Sequence, residues 1–249
     1  MQTSGSKFGF LSNNMLKIIA AVFMVCDHMG VILFPKVVIL RIIGRLSFPI
    51  FAYLIAEGAK HTKNKLRHFL TMFSFAAVIQ IVYFIYNRSL EMSVLVTFTL
   101  SLVIIYALDA LKAEIFALNV RWHGILLTSL LFAGSIALAL FLDRTVDLDY
   151  SFSGCLLPVF PSVFNLPRTD RPTEVFEKLD RKLPRVLMTT IGILALSFDY
   201  GGAQFFSLLT IPLLLLYSEK RGKYNMKYFF YVFYPLHLVI LQGIAWLIG

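Results

Sequence analysis

Apolar runs of roughly twenty residues alternate with short polar connectors along the chain, and this alternation sets the predicted architecture. A run of that length matches the hydrocarbon core of a bilayer. Nine runs are readable, at 15–34, 37–58, 69–86, 93–111, 123–142, 152–166, 186–198, 203–217 and 228–248. The sixth and seventh are short. The sixth carries Pro158 and Pro161, which interrupt helical hydrogen bonding and predict a kinked or re-entrant segment. Lipid offers the backbone no hydrogen-bond partners, so the runs read as helices. The expectation is an all-α, polytopic transmembrane bundle of about nine spans, forming one integral membrane domain over 1–249.

Charge then orients the bundle. With the N-terminus inside, the inner connectors collect Lys7, Lys60, Lys63, Lys65, Arg67, Lys112, Arg121, Arg168, Arg171, Lys178, Arg181, Lys182, Arg185, Lys220, Arg221, Lys223 and Lys227. The outer connectors hold Lys36, Arg88 and Arg144, together with Glu91, Asp143, Asp147, Asp149 and Asp199. This sorting follows the positive-inside rule and makes 167–185 a basic inner loop. It also accounts for the formal net charge of +9, so that charge is not read as a nucleic-acid interface. Composition agrees: 58% of the 249 residues are hydrophobic and 15% charged, against about 25% charged in soluble domains. Cys26 and Cys155 have no metal-binding or CxxC spacing, and no metal site is expected. The first run ends in Phe34-Pro35-Lys36 without a small-residue cleavage site, which predicts a retained span.

Ionisable residues inside spans are costly and are functional candidates by default. The first hairpin, 15–58, contains Lys17, Asp27, His28, Arg41, Arg45 and Glu57. At 1.5 Å per residue, His28 and Arg45 each lie about 20 Å from the inner side, so Asp27 and His28 face the level of Arg45, and Lys17 that of Glu57. Lys17, Ala21, Met24 and His28 form one stripe of a helix, and Arg41 and Arg45 share a face. Asp27 points about 100° away from His28. It is therefore expected to pair with Arg45 or Arg41 and to hold geometry and charge. Cys26 reads as an apolar filler, and His61, His68 and His123 as solvated or interfacial. His237, in Tyr234-Pro235-Leu236-His237, lies about 14 Å from the inner side and is a candidate to share the interior with His28.

These residues carry a resemblance. Leu16-Lys17-Ile18-Ile19-Ala20, Met24 and Asp27-His28 resemble the opening of the TraX family. Ile43-Gly44-Arg45-Leu46-Ser47-Phe48-Pro49-Ile50-Phe51 through Glu57-Gly58 looks like its second span, and Tyr234-Pro235 with His237 like its last. The interval from Lys17 to His28 is also similar to that in the broader membrane acyltransferase superfamily. The resemblance implies a bacterial inner-membrane protein that moves acetyl from acetyl-CoA to the N-terminus of a pilin or fimbrial subunit. Acetyl-CoA would be a co-substrate, with no tightly bound cofactor. A neutral imidazole can deprotonate the attacking amine. His28, with Asp27 and Arg45, is the catalytic candidate, supported by Lys17, Arg41, Glu57 and His237. Lys60, Lys63, Lys65, Arg67 and the 220–227 loop are candidates for the CoA phosphates. Two other classes fit the residues: a non-enzymatic fimbrial assembly factor, and a proton-coupled transporter.

Overall fold

The computed structural model describes residues 9–88, 91–117, 119–165, 178–223 and 226–248. Its elements are α1 (Asn13–Ile32), α2 (Val38–Gly44), α3 (Ser47–His61), α4 (Lys65–Asn87), α5 (Val94–Ile115), α6 (Trp122–Thr145), α7 (Ser151–Leu156), α8 (Val159–Ser162), α9 (Lys182–Tyr200), a 3-10 helix (Gly202–Leu209), α10 (Thr210–Leu215) and α11 (Lys227–Ile248). Among the described residues the only extended pairings are two isolated bridges, Leu11 with Tyr217 and Met92 with Leu148. Residues 1–8 and 166–177, which include Lys7, Arg168, Arg171 and most of the basic loop, lie outside the described residues.

Among the described residues five stretches are long and apolar enough to cross a membrane: Asn13–Ile32, Val38–His61, Lys65–Ile85, Val94–Ile115 and Trp122–Thr145. They match the first five runs of the sequence pattern. The seventh and ninth runs lie in the helices α9 and α11, and the sixth and eighth take other forms. The sixth becomes α7 and α8, broken where Pro158 withholds an amide. The eighth divides into the 3-10 helix and α10. Gly201 and Gly202, both at positive φ, turn the chain sharply after α9, a conformation that costs glycine little.

The chain divides into two compact units. The first comprises Met1–Leu54 and Ile193–Gly249. In it α1 packs on α2 and α11, and α2 packs on the 3-10 helix. Leu16, Ala20, Ile50, Tyr53, Leu196 and Leu214 form its buried centre. The segment before α1 is tied to the segment after α10, since the Leu11 amide donates to the Leu216 carbonyl at 3.0 Å and the Ser218 amide to that of Leu11 at 2.8 Å. The second unit, Ile55–Gly192, is built on α5, against which α4, α6, α7 and α8 pack. Leu102, Ile104 and Ile105 of α5 are fully buried. Lys112 in its last turn is buried as well, and its ammonium donates to the Ser162 and Asn165 carbonyls at 2.9 and 2.7 Å. Lys112 therefore caps the end of α8 and is not a loop charge, as the orientation count had it.

Candidate functional site

The site of interest lies in the first unit, where α1 crosses α2 and runs beside α11. The α1–α2 crossing is close because two positions lack a side chain. A Cβ on Gly30 would meet Leu40 and Arg41 at 3.1–3.3 Å, and one on Gly44 would overlap Asp27. Small residues at such crossings let helices approach within packing distance in a membrane. Ser47 adds a polar tie, donating from its hydroxyl to the Ala20 carbonyl at 2.8 Å.

At this crossing Arg41 donates to Asp27, with Nη1 2.7 Å from Oδ2. The pairing level is one turn short of the one that places Arg45 opposite His28. The reason is the connector: α1 continues to Ile32 and α2 begins at Val38, so the hairpin closes tightly and residue 41 reaches residue 27 first. Arg45 also acts on Asp27 through its charge, from a break between α2 and α3. Pro49 explains the break, because its ring clashes with the carbonyl four residues earlier and it cannot donate to it. The Leu46 carbonyl, at the break, accepts a long bond, 3.4 Å, from the Thr210 hydroxyl.

The predicted pairing of Lys17 with Glu57 is replaced by others. Glu57, 4% exposed, receives Arg185 Nη2 at 2.6 Å and His61 Nε2 at 2.9 Å. Lys17 lies over the ring of Phe230, 5.6 Å from its centroid. Arg185 is fully buried in α9 and is no loop charge. The signal for this was present: Arg185, Thr189, Ile193 and Leu196 recur at helical spacing just after Pro184, and all four are wholly buried.

The stripe Lys17–Ala21–Met24–His28 does exist, and α11 lies along it. Lys17 meets Phe230 at one end and His28 meets His237 at the other, so α1 and α11 run in the same direction. The imidazoles stand with centroids 4.9 Å apart, and His237 Nε2 is 3.0 Å from His28 Nδ1. Phe233 stacks on His237, 5.3 Å between centroids, and Tyr234 meets it edge-on.

Hydrogen-bond logic fixes the proton positions in this pair. His237 Nδ1 is 2.9 Å from the Phe233 carbonyl, which only accepts, so Nδ1 carries the hydrogen. Neutral His237 then offers Nε2 as an acceptor. His28 Nδ1 is 3.0 Å from the Met24 carbonyl and must donate too. A single Nδ1–H of His28, shared between the Met24 carbonyl and His237 Nε2, satisfies every contact. That leaves Nε2 of His28 as a lone pair with no hydrogen bond among the described residues. Asp27 does not touch the imidazole; it serves the crossing.

The candidate phosphate ligands fare unequally. Lys60 is paired with Asp180 at 2.7 Å and Lys65 with Asp109 at 3.0 Å, whereas Lys63 and Arg67 are exposed. His68 donates to or accepts from the Tyr106 hydroxyl at 2.6 Å. Cys26 and Cys155 are free thiols. Among the described residues no group of three or more His, Cys, Asp or Glu side chains is placed to hold a metal.

Residues 12–245, the whole stretch from the N-cap of α1 nearly to the end of α11, match the sequence model of the family described as TraX protein. The chain belongs to the TraX family. This family is associated with pilin and fimbrial assembly. A stretch of 40 residues is 42% identical to an uncharacterized protein of Rickettsia prowazekii (strain Madrid E), and it covers 16% of that relative's length and of this chain's. No solved structure matches. Membership places the hairpin, the His28–His237 pair and α11 within one family-wide segment, and it accords with the five membrane-length helices.

Proposed function

We propose that this TraX-family chain is a membrane-embedded N-acetyltransferase of the bacterial inner membrane. It moves acetyl from acetyl-CoA to the amino terminus of a pilin or fimbrial subunit and so supports fimbrial assembly. The observation that carries the reading is the His28 imidazole, held on two sides through Nδ1 with its Nε2 lone pair unused.

The chemistry needs a base at that position. A free α-amino group has a pKa of about 7.7–8, so a large share is protonated and cannot attack until it loses a proton. Once that proton has passed to water, the neutral nitrogen adds to the thioester carbonyl. His28 Nε2 takes the second proton as the N–C bond forms. Collapse of the tetrahedral adduct breaks the C–S bond, and the imidazolium returns the proton to the departing sulfur. The products are the acetylated amine and CoA thiol. Arg41 is engaged by Asp27 and positions the hairpin; Arg45, one turn on along the same face, is the proposed stabiliser of the developing oxyanion.

The test is mass spectrometry of pilin from strains carrying wild-type or His28→Ala protein. The reading expects an acetylated amino terminus in the first and a free one in the second. Full acetylation with His28→Ala removes His28 as the base. A free terminus in both strains, with pili lost only on deletion of the chain, favours a non-enzymatic assembly factor.

A further inference from the structure

Several cations among the described residues have a carboxylate. Arg41 has Asp27, Lys60 has Asp180, Lys65 and Lys112 have Asp109, Arg121 has Glu114 and Arg185 has Glu57. Lys17 differs. It sits one turn into α1, half-buried, with its ammonium over the Phe230 ring and the charge of Arg221 acting on it. Two like charges brought together at an apolar wall call for an anion.

The backbone holds this arrangement in place independently of those charges. The Asn13 amide donates to the Lys220 carbonyl at 3.0 Å, and Gly222 lies so close to the Asn14 side chain that a Cβ there would overlap it. Residue 221 is thus clamped between two contacts to the first turn of α1. Asn14 is itself buried, and Gly9 lies against Ser218, which closes the same corner. Arg221 remains exposed and meets no acid among the described residues. The N-terminal end of α1 adds its own positive field.

We propose that Lys17 and Arg221, at the N-terminal end of α1, form a binding site for a phosphate group. Two sources have that chemistry: the phosphates of a CoA thioester and the headgroup of an anionic phospholipid. The first rests on the acetyl-transfer reading. It gains support from spacing, since Lys17 and His28 share one stripe of α1 and are about 16 Å apart along its axis, comparable to an extended pantetheine arm. Phosphates at Lys17 would then leave the thioester at His28 Nε2. Arg221 supplies planar, paired donors and Lys17 a point charge, a combination suited to a phosphate oxygen cluster.

Full-length protein in neutral phosphatidylcholine nanodiscs is titrated with CoA by calorimetry, and separately reconstituted with phosphatidic acid whose retention is measured. Wild type and Lys17→Arg are expected to bind CoA alike. Lys17→Met and Arg221→Met are each expected to bind roughly tenfold more weakly, the scale of one lost charge-assisted contact. His28→Ala is expected to bind CoA normally and fail to transfer acetyl. CoA binding unchanged in both methionine variants overturns the site while leaving acetyl transfer intact. Retention of phosphatidic acid that depends on Lys17, with no CoA binding, keeps the phosphate site and overturns the CoA reading. No binding of either probe by wild type overturns the site itself.

Discussion

At the scale of single residues, the pairings divide into those that hold the helices and the one that leaves a reactive atom. Glu57 and Arg185 belong to the first kind. Their side chains are 5% and 1% exposed, so removing one partner strands a buried charge. Arg185→Met is predicted to destabilise the protein by about 3–5 kcal/mol. Adding Glu57→Gln to it should recover part of that loss, because the stranded carboxylate is then neutral. Thermal unfolding in detergent, read as a double-mutant cycle, checks this. Asp27 and Arg41 should couple in the same sense. His28 and His237 are of the second kind. The shared Nδ1–H predicts a definite tautomer, detectable by nitrogen NMR on histidine-labelled protein: both rings protonated at Nδ1, with scalar coupling between His28 Nδ1 and His237 Nε2. A spectrum showing His28 protonated at Nε2 contradicts the assignment. The hydropathy pattern and helical periodicity made His28 visible and separated it from Asp27. They did not show that Asp27 selects Arg41 over Arg45, since that choice depends on how tightly the 33–37 connector closes.

Among elements, the crossing of α1 with α2 governs the site. Gly44 is set directly against Asp27, and there is no room for a methyl group. Gly44→Ala is predicted to force the helices apart, at about 1–3 kcal/mol, and to loosen the Asp27–Arg41 pair. Unfolding measurements on Gly44→Ala beside Gly134→Ala, where a Cβ meets nothing within 4 Å, separate the crossing from a general helix effect. The first five apolar runs were legible as helices because their length alone meets the bilayer requirement. The break at Arg45–Leu46 was also foreshadowed by Pro49. The split of the sixth run followed from its prolines, whereas the 3-10 form of residues 202–209 had no counterpart in the apolar pattern. The inward face of α9 was readable from periodicity, yet a charge-sorting argument assigned Arg185 to a loop because it treats every basic residue near a span end alike.

On the scale of the whole molecule, exposed Leu126, Leu127, Leu130, Leu131 and Phe141 of α6 give that helix an apolar face of the kind lipid covers. The parallel course of α1 and α11 carries a topological consequence. If both cross the membrane, residues before α1 and residues after α11 lie on opposite sides, in line with the charge sorting that puts the N-terminal side within. Membrane-impermeant labelling of single cysteines placed at those two flanks of intact cells is expected to mark only the second. What places the acetyl-transfer reading at risk is chemistry. Purified protein is mixed with acetyl-labelled acetyl-CoA and a pilin bearing a free amino terminus, and the label on the pilin terminus is measured for wild type and for His28→Ala. Wild type is expected to transfer the label and the variant none above background; equal transfer by both, or none by either under conditions where the protein is folded, rules out acetyl transfer through His28.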